Sequence, residues 1–242
     1  MIRIFVKEFN SYLNSLVAYI VISVFLTGIG LLLWIFPETS VLDYGYADMT
    51  TLFSFGPYMM MFLIPAITMK MFAEERKMGT LEILLTRPVS DWGIVLGKYF
   101  AGLFLVVLAI LPTLLYYYSI YQLGNPVGNI DTPGVAGSYI GFIMLGAIFT
   151  SFGLLASSVT TNQVIAFIIA VFMCFLVFEG FRALSGINEW ASYALFVDQL
   201  GVVYHYNTLS KGLIDSRDVV YFISITGIAL MITKLVLGSR KW

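Results

Sequence analysis

The 242-residue sequence is 60% hydrophobic and only 11% charged, with a formal net charge of -1. An average soluble domain carries about 25% charged residues, so this composition excludes an ordinary soluble protein and indicates an integral membrane protein. The sequence has no basic tract that would indicate a nucleic-acid partner, and its single cysteine, Cys174, excludes an internal disulfide bond.

The first residues, MIRIFVKEFNSYLNS over 1–15, predict a short helix that lies in the membrane interface. Its apolar residues recur at helical spacing, and its charged residues fall elsewhere around the helix. The alternative is that these are ordinary residues flanking the first span. The apolar residues are Ile2, Phe5, Phe9, Tyr12 and Leu13, and the charged residues are Arg3, Lys7 and Glu8.

Six apolar runs follow, each close to the roughly 20 residues that a membrane-spanning helix needs. The first run is longer than the roughly 7 to 15 apolar residues of a signal peptide, so we expect a retained span. The sequence therefore predicts an all-α polytopic membrane protein with a single six-helix transmembrane domain over 1–242. The predicted spans are 16–36, 53–72, 94–118, 138–157, 164–183 and 219–237.

The distribution of lysine and arginine predicts the orientation of these spans, because cytoplasmic loops are enriched in both residues. Ten of them fall on the side that holds both termini and the loop over 74–92, whereas Arg182, Lys211 and Arg217 fall on the other side. Both termini and this loop are therefore expected in the cytoplasm. The outer segment 184–218 is too apolar for a solvated linker, so we expect it to re-enter the membrane and cap the bundle.

The loop over 74–92 predicts a compact helix held between two turns. Gly79 and Thr80 open this helix, Glu82 lies in its first turn, and Pro88 ends it. Two interpretations stay open. In the first, the charged residues of the loop only fix the orientation of the spans in the membrane. In the second, the helix is a docking element through which a soluble partner moves two spans.

The third span begins with a strong start signal, since Ser90 is a good N-cap. Gly93, Gly97 and Ala101 then recur at every fourth position. Small residues at this spacing let a second helix approach closely, so we expect a tight helix contact at the start of this span.

Two segments carry a family resemblance. Residues 75–90, ERKMGTLEILLTRPVS, followed by IVLGK at 94–98, are similar to the cytoplasmic signature of ABC-2-type transporter permeases. Residues 210–222, SKGLIDSRDVVYF, resemble the segment that leads into the last span of that family. The short N-terminal helix and short loops most resemble the gliding-motility-associated ABC transporter permease subunit of Bacteroidota. The resemblance implies the ABC-2, type V exporter-like architecture.

The resemblance also implies a function. The helix after Gly79 would be a coupling helix that docks on a separate ATP-binding subunit, which binds ATP and magnesium. Two permease chains, identical or related, would form a dimer in the bacterial inner membrane, performing export or conformational work in gliding motility or associated secretion. The residues implied to contact the ATP-binding subunit are Glu75, Arg76, Gly79, Thr80, Glu82, Leu84 and Leu85.

The sequence contains no G-x-x-x-x-G-K-[ST] motif, so we expect a non-catalytic subunit with no P-loop and no cofactor of its own. The alternatives are a secondary transporter and an ATPase-independent scaffold of a motility or secretion machine. A secondary transporter is disfavoured because the predicted spans carry almost no ionisable residue near the membrane midplane.

The ionisable residues on the predicted outer side do not indicate a catalytic or metal-binding site. Glu179 and Arg182 are three residues apart on a helix and can pair, either as a structural contact or as an outer gate. His205 is the only histidine, and we expect no metal site or catalytic triad around it. The expected partners are therefore the ATP-binding subunit, a second permease chain and membrane lipid.

Overall fold

The computed structural model describes residues 1–85, 89–186 and 193–239, with the backbone alone at 44 and 83–85. In chain order the helices are α1 (Ile2–Leu13), α2 (Leu16–Trp34), α3 (Val41–Tyr44), α4 (Thr50–Thr68), α5 (Lys70–Lys77), α6 (Thr80–Leu85), α7 (Asp91–Ile110), α8 (Leu114–Leu123), α9 (Thr132–Val159), α10 (Gln163–Phe175), α11 (Phe181–Ser185), α12 (Ala194–Gln199), α13 (Val202–Ser210) and α14 (Ser216–Gly238). No strand occurs within the described residues.

Six helical stretches in this part of the chain are long and apolar enough to cross a membrane, which confirms the predicted fold class. Three of them are interrupted by a short stretch that is not α-helical. Span 2 joins α4 to α5, span 3 joins α7 to α8 through a 3-10 turn, and span 5 joins α10 to α11 through a π-helical turn. The spans are Leu16–Trp34, Thr50–Lys77, Asp91–Leu123, Thr132–Val159, Gln163–Ser185 and Ser216–Gly238.

Polar side chains define where several of these helices begin. The Ser90 hydroxyl accepts a hydrogen bond from the backbone N–H of Gly93 at 3.2 Å, as its sequence position predicted. The Asn162 and Asp215 side chains cap spans 5 and 6 in the same way. Such caps satisfy N–H groups that have no partner within the helix.

Span 4 is the central helix of the bundle. In its apolar stretch 78% of the residues are buried, against 22% in spans 5 and 6 and 28% in span 1. It packs against spans 2, 3, 5 and 6 and against α13. Small residues permit this, because a Cβ added at Gly146 would lie 2.8 Å from a Val106 methyl group. Spans 1, 5 and 6 therefore form the rim and span 4 the centre.

The core has two halves, one at each end of the spans. At one end, which we call the α1 end, residues of α1, α5 and α7 pack together, including Tyr12, Phe72 and Ile94. At the other, the α13 end, residues of spans 1, 2 and 4 pack around α13, including Phe25, Phe142 and Tyr206.

Helix α1 lies along the start of span 3. A Cβ at Gly97 would lie 3.0 Å from Ile4, so the predicted close helix contact at Gly97 is confirmed, with α1 as the second helix. The helix predicted for the first residues forms as α1. Ile4, Glu8 and Tyr12 are buried, whereas Ile2 is 72% exposed. The side of α1 that faces the bundle therefore carries a polar residue, Glu8, which pairs with buried Lys98.

The segment after span 5 folds onto the bundle. Helix α13 packs against spans 4 and 6, and the Tyr206 hydroxyl donates to the carbonyl of Phe53 on span 2 at 2.9 Å. Val202 and Leu209 of α13 have no exposed surface. Within the predicted outer segment 184–218, residues 187–192 lie outside the described part of the chain.

Candidate functional site

A hairpin of two short helices, α5 and α6, lies at the α1 end, and we call it the α5–α6 hairpin (70–85). Gly79 connects the helices with φ of +70°, in the left-handed region that favours glycine. The Thr80 hydroxyl donates to the carbonyl of Glu75 at 3.2 Å, which ties α6 back to α5. Leu81 is buried in the core and Glu82 is exposed, so α6 has one anchored side and one free side.

A buried lysine joins this hairpin to α1 and to span 3. Lys98 of span 3 has no exposed surface. Its ammonium nitrogen lies 2.9 Å from Glu8 Oε1 of α1 and 3.0 Å from Glu75 Oε2 of α5. It also donates to the carbonyl of Met71 at 2.7 Å. Because a buried charge needs paired and hydrogen-bonded surroundings, these contacts hold three separate elements in one arrangement.

A second lysine extends the contact to the surface. Lys7 Nζ lies 3.1 Å from Glu75 Oε1 and 3.5 Å from Glu8 Oε1, and its side chain is 62% exposed. Burial lowers the pKa of Lys7, but the carboxylates of Glu75 and Glu8 outweigh this effect and raise the pKa above its ordinary value. Lys7, Glu8, Glu75 and Lys98, which we call the charge cluster, therefore balance two positive and two negative charges.

Arg76 ties the same hairpin to the central span. Its guanidinium Nη1 donates to the carbonyl of Ser158 in the last turn of span 4. Carbonyls at a helix C-terminus lack helical partners and carry the negative end of the dipole, so a cation is favourable there. The Nε and Nη2 atoms are buried without a hydrogen-bond partner among the described residues.

At the α13 end, a cavity of about 400 Å3 opens between spans 2 and 4, the end of span 5 and α13. Its lining mixes aromatic and polar side chains, including Asp48, Asp131, Arg182, Tyr206 and Asn207. Concave sites with a few convergent polar groups are the usual form of small-molecule sites. This cavity is the second place where the fold could support a function.

The predicted pair of Glu179 and Arg182 forms beside this cavity, with Arg182 Nη1 3.6 Å from Glu179 Oε1. The Tyr58 hydroxyl of span 2 donates to the same carboxylate oxygen at 2.5 Å. The Arg182 side chain is 60% exposed and the Glu179 side chain 18%. The pair therefore links span 5 to span 2, chiefly through the glutamate.

The histidine has a defined place near this end. His205 Nδ1 lies 2.6 Å from Asp218 Oδ1, and His205 Nε2 lies 3.0 Å from the carbonyl oxygen of Gln199. The imidazole ring stacks on Tyr221 with the ring centroids 3.8 Å apart. The histidine thus fastens α12 and α13 to the start of span 6. Among the described residues, no group of three His, Cys, Asp or Glu side chains could hold a metal ion.

Comparison with known families decides the class of the chain. The family model described as ABC-2 family transporter protein matches residues 40–237. The chain belongs to this family. No curated protein matches the sequence. An ABC-2 protein of this kind is the permease subunit of an ABC transporter, and it works with an ATP-binding partner.

The structure distributes the predicted contact residues of this ABC-2 permease between two environments. Thr80 and Glu82 are exposed on α6, as is Gly79 in the turn before it. Glu75 and Arg76 instead turn inward, to Lys98 and to the end of span 4. Leu84 and Leu85 belong to the backbone of α6, and their side chains lie outside the described part. Contact of all seven residues with an ATP-binding subunit stays a prediction.

The sequence interpretation missed Glu8, Lys98 and Asp218 as structural partners of this ABC-2 permease. A signal for Glu8 was present, because it is four residues from both Ile4 and Tyr12 and so shares their face of α1. Lys98 had a weaker signal, since a lysine one turn or two inside a span needs a partner or access to the interface. No pattern in the sequence indicated Asp218 as the partner of His205.

Proposed function

We propose that α6 is the coupling helix of the permease, docking in a groove on a separate ATP-binding subunit that holds ATP and magnesium. The observation that carries the proposal is the attachment of the α5–α6 hairpin. Its free side exposes Glu82, while buried contacts join its other side to α1, span 3 and span 4. Force applied to the free side would therefore reach three elements at once.

The orientation proposed for the chain puts the α1 end in the cytoplasm and both termini on that side of the bacterial inner membrane. The positive charge of the α1 end supports it. Cytoplasmic loops favour lysine and arginine, and the α1 end holds Lys7, Lys70 and Arg76. An ATP-binding subunit has access to the hairpin only in this orientation, because ATP is a cytoplasmic substrate.

The assembly we propose contains two permease chains, identical or related, and two ATP-binding subunits. Its work is export or conformational work across the membrane, in gliding motility or associated secretion, as the resemblance of the N-terminal helix and short loops suggests. We also propose that Glu179 and Arg182 act as an outer gate, since Arg182 lines the cavity at the α13 end. The Tyr58 contact gives such a gate a link to span 2.

The test is purification of the tagged protein from its native membrane in mild detergent, followed by identification of the proteins that accompany it. We compare wild type with Glu82→Lys, which reverses the charge on the free side of α6. The matched control is Glu38→Lys, the same charge change at an exposed position before α3. We expect a P-loop ATPase to copurify with wild type and with the control. With Glu82→Lys, we expect most of the copurifying ATPase to be lost.

Two results would contradict the proposal. If Glu82→Lys retained the ATPase as well as the control did, α6 would not be the docking helix. If wild type brought down no ATPase even after crosslinking, the account of ATP-driven coupling would fail, and an ATPase-independent scaffold would take its place.

A further inference from the structure

Span 2 is broken just above the α5–α6 hairpin. Helix α4 ends at Thr68 and α5 begins at Lys70, so Met69 lies outside both helices. The first N–H groups of any helix have no partner within it and must be satisfied from elsewhere. The break therefore leaves N–H donors at the start of α5, and those of Phe72 and Ala73 belong to fully buried residues, so they need a partner within the protein.

One hydroxyl from the central span forms hydrogen bonds with the backbone groups at this break. Ser157 Oγ of span 4 accepts hydrogen bonds from the backbone N–H groups of Phe72 at 2.9 Å and Ala73 at 3.0 Å. The same hydroxyl donates to the carbonyl of Met69 at 2.8 Å. Ser157 has no exposed surface. It therefore caps α5 as an N-cap serine would, but from a different helix.

The two helices also touch one turn earlier. A Cβ added at Gly153 would lie 1.9 Å from Thr68 Oγ1 and 2.8 Å from Thr68 Cβ, so only glycine fits. Thr68 itself donates back to the carbonyl of Ile64 at 2.9 Å, a contact that often bends helices. Span 4 is thus in contact with both sides of the break in span 2.

A second hydrogen-bonded arrangement is available to the same atoms. If α4 and α5 became one continuous helix, the N–H groups of Phe72 and Ala73 would bond the carbonyls of Thr68 and Met69, four residues earlier. The Ser157 hydroxyl would then bond a carbonyl one turn back in its own helix. Ser151 and Ser158 of span 4 already do this, each with the carbonyl three residues before it. Both arrangements leave the donors satisfied.

We propose that Ser157 is a positioning residue of the coupling mechanism, which holds span 2 broken and releases it when α6 is displaced. Side chains inserted into a helix hydrogen-bond ladder are a known cause of kinks, and a two-state element is what transmits movement between sites. The proposal rests on the proposed function, since it assigns the hairpin its route into the bundle. That route runs from α6 through Met69 to span 4.

The experiment measures the distance across the break, between spin labels at Phe62 and Lys77. Both positions are exposed, one on each side of the break, and the buried Cys174 is replaced by alanine. The variant is Ser157→Ala, and the matched control is Ser151→Ala, which removes a buried hydroxyl that bonds only its own helix. We expect a longer distance with Ser157→Ala, because a continuous helix is extended, and an unchanged distance with Ser151→Ala.

A distance that did not differ between Ser157→Ala and Ser151→Ala would overturn the proposal. A second measurement on the wild-type complex, with and without a nonhydrolysable ATP analogue, is expected to lengthen the same distance, and this response should be lost in Ser157→Ala. A wild-type distance that ignored the nucleotide would also overturn it. Failure of an ATPase to copurify would refute the proposed function instead, while the comparison of the two serine variants would still report on the break.

Discussion

The two ends of the molecule use charged side chains in different ways. At the α1 end, Lys98 is fully buried and pairs with residues 90 and 23 positions away, Glu8 and Glu75. At the α13 end, Glu179 and Arg182 are neighbours on one helix and the arginine is mostly exposed. The first ion-pair network joins three elements that are distant in the sequence, whereas the ion pair of the second lies within one helix and reaches span 2 only through the neutral Tyr58 hydroxyl.

This difference determines which contacts can transmit a movement from one element to another. A charge removed from a buried network leaves its partners unpaired in a medium that cannot solvate them, whereas an exposed partner returns to water. The α1 end should therefore move as one unit, and the Glu179–Arg182 pair at the α13 end should be able to open. The effects of breaking each contact should follow the burial of the group that is left behind.

The largest effect is expected for Lys98→Ala. It leaves Glu8 and Glu75 without their buried partner, and removal of one member of a buried pair typically costs about 3 to 5 kcal/mol. The measurement is the free energy of unfolding in detergent by denaturant titration. Lys70→Ala is the control, because among the described residues Lys70 bonds only the Ser15 hydroxyl, and it lies over the Tyr12 ring. Equal losses in the two variants would show that burial of Lys98 is not what matters.

An intermediate effect is expected for His205→Ala. It leaves the buried Asp218 carboxylate without a partner, and an unsatisfied buried polar group costs about 1 to 3 kcal/mol. The double variant His205→Ala with Asp218→Asn should recover part of this loss, because the remaining group is no longer charged. If the double variant were less stable than the single variant by the full cost of Asp218→Asn, the two residues would not be coupled.

A small effect is expected for Lys7→Ala, although Lys7 belongs to the same cluster as Lys98. Its side chain is 62% exposed, and exposed ion pairs contribute less than about 1 kcal/mol. Repeating the unfolding measurement in high salt should reduce the difference between variant and wild type, because salt screens surface charges. A loss as large as that of Lys98→Ala would mean that the cluster acts as a unit regardless of burial.

The smallest effect is expected for Arg182→Ala. The Tyr58 hydroxyl still donates to Glu179 after the arginine is removed, so the carboxylate keeps a partner. We expect the free energy of unfolding to change by less than about 0.5 kcal/mol, as for exposed pairs on one helix. Tyr58→Phe is the companion variant, and it should destabilise more than Arg182→Ala if the contact between spans 2 and 5 depends on the tyrosine.

The sequence predicted the fold class well, because each span needs a long apolar run that is visible without any structure. It predicted poorly which polar residues meet, since Glu8 and Lys98 are 90 residues apart and their contact depends on how α1 lies on span 3. The break at Met69 also could not be predicted from the sequence. Pro65 weakens the helix locally, but the hydroxyl that occupies the break comes from Ser157, on another span.

The long separation of Glu8 from Lys98 has a consequence for biogenesis. The ribosome makes α1 before span 3, so the lysine that pairs with Glu8 is synthesised 90 residues later and reaches its place only when span 3 has entered the membrane. Until then α1 can only rest on the bilayer surface with its glutamate solvated, as an amphipathic helix does. Helix α1 therefore docks only after span 3 is in place, and a nascent chain halted before Lys98 would leave α1 undocked.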